Sequence, residues 1–577
     1  MATYHSGNPQ ATSAFAEQED LKNVNGQETV LESLDNAKLS WFHIKAILVA
    51  GMGFFTDAYD LFNIGLVTKL IAMIYYSGNL PLGVNLAISG VALCGTLTGQ
   101  LFFGWMGDHF GRKFSYGLTL FIMIIASICS GLSFGRTPKA VVTTLCFWRF
   151  ILGLGIGGDY PLSATIMSEY ANRANRGALV ASVFAMQGLG YITAATVTII
   201  VSSGFKRMSQ SPENADYVWR TVLMFGAVPT ALTVYARSTL PETARYTLNV
   251  AHNVEKVEAD MAVVTGTHHT AASYNTIKFK KFVWTNKAIF SLLGCGLAWF
   301  LVDVAFYSQG LFQSNIYTAI GWVPNIQIYW PQMSVDYIEG TYAQTCSTGH
   351  ILNNVLLPAS VVGKANCASS QYMCTNNAKT CWMTPLDQTY LLARAQAIIS
   401  LASVIPGYWF TVFTIEKMGR WTIQVMGFFF MTVFMAFLAG YYNYFLAHVN
   451  GFITMYAFTF FFANWGPNAT TFIFPVEVFP SSIRSTAHGI CAAMGKSGAI
   501  MGAFGFLYAS QDPHSPATIA TYGKPIGVGI QKALGILAAV NFTGLLVTLF
   551  MVPYIPLNTS LEEVSGEIEH DDEKVMA

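Results

Sequence analysis

Apolar runs constrain this chain more than any other feature. Hydropathy marks them near residues 44–68, 86–106, 114–134, 140–167, 177–202, 218–239, 287–314, 391–415, 421–443, 451–475, 486–509 and 529–553. Each is about 20 residues or longer, enough for a helix to cross roughly 30 Å of hydrocarbon. A water-soluble core cannot absorb so many. Charge agrees: 11% of the 577 residues are charged, against about 25% in soluble domains, so lipid is the expected solvent and partner. Lys+Arg and Asp+Glu balance at 31 each, which gives no electrostatic case for nucleic acid. The expected class is an all-α membrane protein with twelve transmembrane helices.

The runs fall into two sets of six. Asp108-His109-Phe110-Gly111-Arg112 follows span 2, and Glu416-Lys417-Met418-Gly419-Arg420 follows span 8. Glu169 and Arg176 follow span 4; Glu477 and Arg484 follow span 10. Asp108 and Glu416, Glu169 and Glu477, and Arg176 and Arg484 are each 308 residues apart. A parallel repeat of six spans is the plan of major facilitator transporters, and the acid-Gly-Arg loops resemble that superfamily's loop motif. These eight charged residues are therefore candidates for a conformational latch at helix ends. The expected organisation is a tail over 1–43, a six-helix bundle over 44–239, a linker over 240–286, a second bundle over 287–553 and a tail over 554–577. An even number of spans puts both termini on one side. The Lys and Arg bias makes that side cytoplasmic. Residues 1–40 lack the apolar core of a secretory signal, and they and 561–577 read as solvated chain.

One connection breaks the symmetry. The loop over 316–390 is much longer than its counterpart and carries Cys346, Cys367, Cys374 and Cys381. Four cysteines in an exofacial loop are disulfide candidates, with three connectivities open. Such a loop fits the plasma membrane, the expected location, and would also fit a lumen-facing loop of an organelle. No metal site or cofactor is expected, and no nucleophile–base pair argues for an enzyme.

Charges inside apolar spans are costly and ask for a reason. Asp57 and Asp60 lie in span 1, Arg149 and Asp159 in span 4, Asp303 in span 7 and Lys496 in span 11. Trp299, Asp303 and Tyr307 recur every fourth residue and share one helix face. Arg149 and Asp159 are about 15 Å apart along one helix, so Arg149 is expected to meet an acid on another span, such as Asp57, with Asp60 secondary. Gly153, Gly155, Gly157 and Gly158 between them serve either close packing or bending. A deep lysine with hydroxyl, indole and amide donors describes an anion site. Carboxyls removed from water are neutralised more readily. Asp57, Asp159 and Asp303 are thus candidates to carry protons alongside an anion.

The stretch Gly157-Gly158-Asp159-Tyr160-Pro161-Leu162-Ser163-Ala164-Thr165 resembles the signature of plant and fungal proton-coupled phosphate transporters. So do Phe55 to Asp60, Trp299 to Tyr307, Pro406-Gly407-Tyr408-Trp409-Phe410, Gly466 to Phe472 and Arg484 to Gly489. The resemblance covers about residues 40 to 560. It implies import of inorganic phosphate with protons, with Tyr160, Gln187, Trp299, Asp303, Tyr307, Asn468 and Lys496 around the phosphate. It assigns Asp57, Arg149, Asp159 and Asp303 to proton coupling. Alternative readings are a phosphate receptor, a sodium-coupled carrier, and an organic-ion or sugar porter. Pro241-Glu242-Thr243-Ala244-Arg245 resembles sugar porters, yet a sugar site needs no buried lysine with several acids.

Overall fold

The computed structural model describes residues 35, 38–76, 80–208, 212–249, 284–323, 325–328, 373–374, 380–383, 385–510 and 527–567. Spans 1 to 5 are the helices Trp41–Tyr75, Leu82–Phe110, Arg112–Gly131, Pro138–Tyr170 and Arg176–Met208. Span 6 is jointed into Pro212–Phe225, Ala227–Leu232 and Val234–Ser238. Span 7 is Asn286–Leu311. Span 8 comprises Pro385–Ile399, a π-helical turn at Ser400–Val404, and Ile405–Met418. Span 9 is Arg420–Gly440, span 11 Arg484–Ala509 and span 12 Ile530–Met551.

Eleven of these helical runs are long and apolar enough to cross a membrane. Span 10 is the twelfth and is broken into Val449–Asn464 and Pro467–Val478. Pro467 cannot donate to the preceding turn, so the helix stops before it and restarts with it at the first position. The chain thus has the twelve spans expected, with no bound more than seven residues from the hydropathy estimate.

Span 2 packs on span 11 across the two halves, and span 5 packs on span 8. The same pairing occurs twice, as a repeat of six spans requires. Where spans 2 and 11 cross, a Cβ on Gly489 would lie 2.4 Å from Gln100 O. Only glycine lets the backbones come this close.

The span 4 glycines resolve toward packing. Span 4 is one unbroken helix. A Cβ on Gly153 would sit 2.1 Å from Ala92 O, and one on Gly157 would sit 2.1 Å from Thr96 O, both on span 2. A Cβ on Gly155 would lie 2.8 Å from the Met123 side chain, and one on Gly158 would lie 2.4 Å from the Thr119 side chain, both on span 3.

In the long loop, three short strands form a small sheet in the order β1-β3-β2. They are β1 (Asn325–Ile328), β2 (Met373–Cys374) and β3 (Thr380–Met383). β2 and β3 run antiparallel, with Cys374 and Cys381 as register partners. Cys346 and Cys367 lie outside the described residues.

The expectation of a solvated C-terminal segment needs correction. Residues Leu561–Ser565 form a helix, capped by Ser560 and Glu563 in reciprocal hydrogen bonds. Leu561 and Glu562 are buried. The segment is polar by composition, but it faces arginines contributed by distant loops, which local composition does not reveal.

Candidate functional site

All seven residues expected around the anion meet where the halves face each other. Lys496 Nζ of span 11 lies 3.1 Å from Asp303 Oδ2 and 2.8 Å from Tyr307 OH, both on span 7. The same ammonium stands 4.8 Å from the ring centroid of Tyr160 on span 4 and 4.4 Å from that of Tyr307. The Tyr160 hydroxyl donates to Asp57 Oδ2 at 2.5 Å. Gln187 Nε2 of span 5 donates to that oxygen at 3.2 Å and to Tyr160 OH at 3.0 Å. Asn468 of span 10 reaches the cluster through Tyr408 OH, at 2.9 Å.

The indole of Trp299 completes the wall. Its centroid is 6.4 Å from that of Tyr160 and 5.4 Å from that of His488. Glycine at 495 gives the indole its place: a Cβ there would lie 2.5 Å from the Trp299 ring. Lys496, Asp303, Tyr160 and Asp57 are all buried. A single cation among phenols, amides and carboxyls can hold an anion if the carboxyls are neutralised, because each ionised acid beside it repels the anion.

The residues assigned to proton coupling do not form one chain. Asp57 belongs to the cluster just described. Arg149 does not meet its carboxylate: Nη2 donates to the main-chain oxygen of Asp60 at 3.1 Å. Asp60 Oδ2 in turn accepts from Ser127 at 3.2 Å. The expected Arg149–Asp57 meeting is therefore replaced by Arg149–Asp60. Asp57 and Asp60 are three residues apart on span 1, and Asp57 is turned instead toward Tyr160 and Gln187. Asp159 lies elsewhere again. Its two oxygens accept from Arg237 of span 6 at 3.2 and 2.6 Å, and Thr119 donates to it at 2.5 Å. The Arg237 guanidinium lies 3.6 Å over the Tyr116 ring. Arg237 was missed because it sits at the ragged end of an apolar run, where a charge reads as loop.

The latch candidates gather at the end of the bundle that holds the described terminal segments. Asp108 Oδ2 accepts from Thr486 N at 2.7 Å, and Oδ1 accepts from Ser485 N at 3.2 Å. An acid of the first half thus caps span 11 of the second, where exposed amides and the helix dipole favour negative charge. The repeat-related contact is present too: Glu416 Oε1 accepts from Ala178 N, in the first turn of span 5, at 3.0 Å. Arg112 pairs with Asp108 and Glu169 and donates to Ser481 O at 2.7 Å. Arg484 crosses to Glu169 at 3.2 Å, and Arg420 pairs with Glu416 and Glu477. Arg176 breaks the symmetry, bonding Asp35 at 3.2 Å and Thr559 O at 3.1 Å.

The terminal segments fill this end. Asp35 pairs with Arg245 at 2.7 Å, and Glu562 pairs with Arg245 at 2.8 Å. Burial alone would push the Glu562 carboxyl up, but the Arg245 guanidinium, with Arg484 nearby, holds it down at about 2. Glu567 accepts from Ser481 N at 2.9 Å. At the opposite end, Lys206 at the close of span 5 bonds Asp387 at the start of span 8.

Known proteins share this plan. The family model described as sugar (and other) transporter matches residues 46–294 and 364–564. "Probable inorganic phosphate transporter 1-3" of Oryza sativa subsp. japonica is 48% identical over 96% of this chain and 100% of its own length. "Low affinity inorganic phosphate transporter 1" of Petunia hybrida is 48% identical over 94% of this chain and 96% of its own length. Among solved structures, the proton:xylose symporter XylE superposes with a TM-score of 0.61 at 16% identity, covering 92% of this chain and 99% of that one. At that identity the likeness shows the fold alone. The curated relatives carry the finer conclusion: this chain is a major facilitator protein belonging to the inorganic phosphate transporter family of plants, and not an enzyme.

Proposed function

We propose that this protein imports inorganic phosphate together with protons, by alternating exposure of the Lys496 pocket to the two sides of the membrane. The observation that carries the reading is the buried Lys496 paired with Asp303 and Tyr307 and facing Tyr160. The names of the relatives support phosphate as the cargo.

The chemistry follows from charge. One ammonium faces two carboxyls, Asp303 and Asp57, so with both ionised the pocket repels an anion. A proton on Asp303 frees Lys496 Nζ to face the phosphate, and a proton on Asp57 removes the remaining negative charge. Phosphate as the monoanion accepts bonds from Lys496, Trp299, Gln187 and Asn468. Its own O–H donates to the carbonyl oxygen of the protonated Asp303 carboxyl. Sulfate has no O–H at neutral pH and leaves that acceptor unpaired, the kind of mismatch that discriminates strongly. Loaded and neutral, the halves rock. The Asp108 and Glu416 caps then release and reform. Arg149 with Asp60, and Asp159 with Arg237, flank this route on the first half.

The test is uptake of radiolabelled phosphate into proteoliposomes holding the purified protein. The expected result is accumulation that requires an inward-acid pH gradient, collapses with a protonophore, does not depend on sodium, and far exceeds sulfate uptake. Equal transport of sulfate, or accumulation driven by sodium alone, overturns the mechanism. Phosphate binding without any uptake favours a receptor.

A further inference from the structure

Span 8 contributes a side chain to the pocket that carries no charge. Tyr408 is buried, and its hydroxyl stands between the two substrate-facing amides. It donates to Gln187 Oε1 at 3.0 Å and accepts from Asn468 Nδ2 at 2.9 Å. Gln187 belongs to the first half of the molecule and Asn468 to the second. A phenol has one hydrogen to give, so the direction is set: Asn468 N–H to Tyr408 oxygen, Tyr408 O–H to the Gln187 carbonyl. With its carbonyl so occupied, Gln187 turns its NH2 toward Tyr160 and Asp57. The reverse setting would press the carbonyl oxygen against the Asp57 carboxylate.

The backbone is shaped to bring Tyr408 there. The π-helical turn at Ser400–Val404 ends two residues before Pro406. Pro406 lacks an N–H and its ring crowds the carbonyl four residues back. The wider turn relieves this and rotates the following face of the helix. On one side, a Cβ on Gly188 would lie 3.1 Å from the Tyr408 ring. On the other, a Cβ on Gly407 would lie 2.5 Å from Phe461 O of span 10. Span 8 can therefore approach the elements carrying Gln187 and Asn468 at once.

We propose that Tyr408 is a positioning residue for the anion: its hydroxyl holds the Gln187 amide with N–H groups toward the substrate and ties that amide across the midline to Asn468. The proposal rests on the phosphate reading above. Tyr408→Phe keeps the ring and removes the hydroxyl, leaving the Gln187 amide free to turn its oxygen toward the anion.

The experiment measures phosphate binding by calorimetry, and KM and kcat for gradient-driven uptake, in the wild type, Tyr408→Phe, Gln187→Ala and the double variant. Tyr317→Phe, a buried tyrosine outside the pocket, serves as the folding control. Tyr408→Phe is expected to raise Kd and KM about 5- to 10-fold, the size of one lost buried hydrogen bond. It should leave kcat and the pH profile in place, because no proton carrier is removed. In the Gln187→Ala background the same substitution should add little, since Tyr408 acts through that amide. An unmoved KM overturns the proposal. So does a full multiplicative effect in the double variant, or a loss of kcat and melting temperature shared with Tyr317→Phe. A wild-type protein that binds no phosphate instead defeats the underlying reading, and the wild-type arm shows this before any variant is compared.

Discussion

At the scale of single residues, the pocket shows how a membrane interior tolerates charge. Lys496 has Asp303 and Tyr307 within hydrogen-bond reach, and Asp159 has Arg237 on two oxygens. The two pairs differ in geometry. Asp159 is bound bidentately by a guanidinium, a fixed planar fork that suits a lasting structural pair. Asp303 faces a lysine whose single ammonium can exchange one partner for another. The proton-carrying role therefore fits Asp303 and Asp57 better than Asp159. Asp303→Asn keeps the shape of the side chain and removes its titration. It is expected to abolish pH-gradient-driven accumulation while the folded protein is retained. Radiolabelled uptake at matched expression checks this, and normal gradient-driven uptake would refute the role. The sequence displayed these acids plainly, because a charge in an apolar run stands out. It did not display their partners. Arg237 hides at a span boundary, Asp60 was ranked below Asp57, and Tyr408 is one uncharged aromatic among many.

At the scale of elements, glycine decides how close the helices come. Spans 2 and 4 touch backbone to backbone because Gly153 and Gly157 present no Cβ. Gly157→Ala would place a methyl 2.1 Å from Thr96 O, so the helices must separate at a cost of about 1–3 kcal/mol. Gly117→Ala, where a Cβ would meet nothing within 4 Å, should be close to neutral. Melting temperatures of the two variants in detergent, compared with the wild type, test this. The glycine run was legible in the sequence, but its purpose was not. Packing and bending call for the same residue, and only the neighbour at each Cβ position separates them. The break in span 10 before Pro467 falls inside what hydropathy marks as one run over 451–475, and residue type alone does not place it, since Pro161 and Pro475 sit within helices.

At the scale of the molecule, the halves are joined at both ends. Lys206 and Asp387 join spans 5 and 8 at one end. The helix caps and ion pairs around Asp108, Glu169 and Arg484 join the other, and the 556–567 segment lies across them. Glu562 anchors that segment. Its carboxyl is held at about 2 against an ordinary 4.5, so its contribution to docking is fully present above pH 4.5 and fades as pH falls through 2. Docking should therefore be indifferent to pH between about 5 and 7, so a pH dependence of uptake in that range is expected to arise elsewhere than at Glu562. Glu562→Gln removes one charge from a buried pair and is expected to weaken docking by about 3 kcal/mol. Hydrogen exchange of residues 556–567 reads both effects. Protection unchanged by the substitution, or protection that varies across that pH range, contradicts the assignment.

The sequence alone determined the solvent, the span count and the twofold repeat, because hydropathy, helix length and equal spacing are properties of position along the chain. It also singled out seven residues that the structure brings together, since buried charge is conspicuous in apolar sequence and the flanking motifs resemble a known family. Only the tertiary structure decided the partners: Arg237 for Asp159, Asp60 for Arg149, Tyr408 between Gln187 and Asn468, and Arg245 for both Asp35 and Glu562. Each of these contacts joins helices or loops far apart in the chain. Their geometry depends on how closely spans pack and which face each helix turns inward, and neither is encoded in any local window.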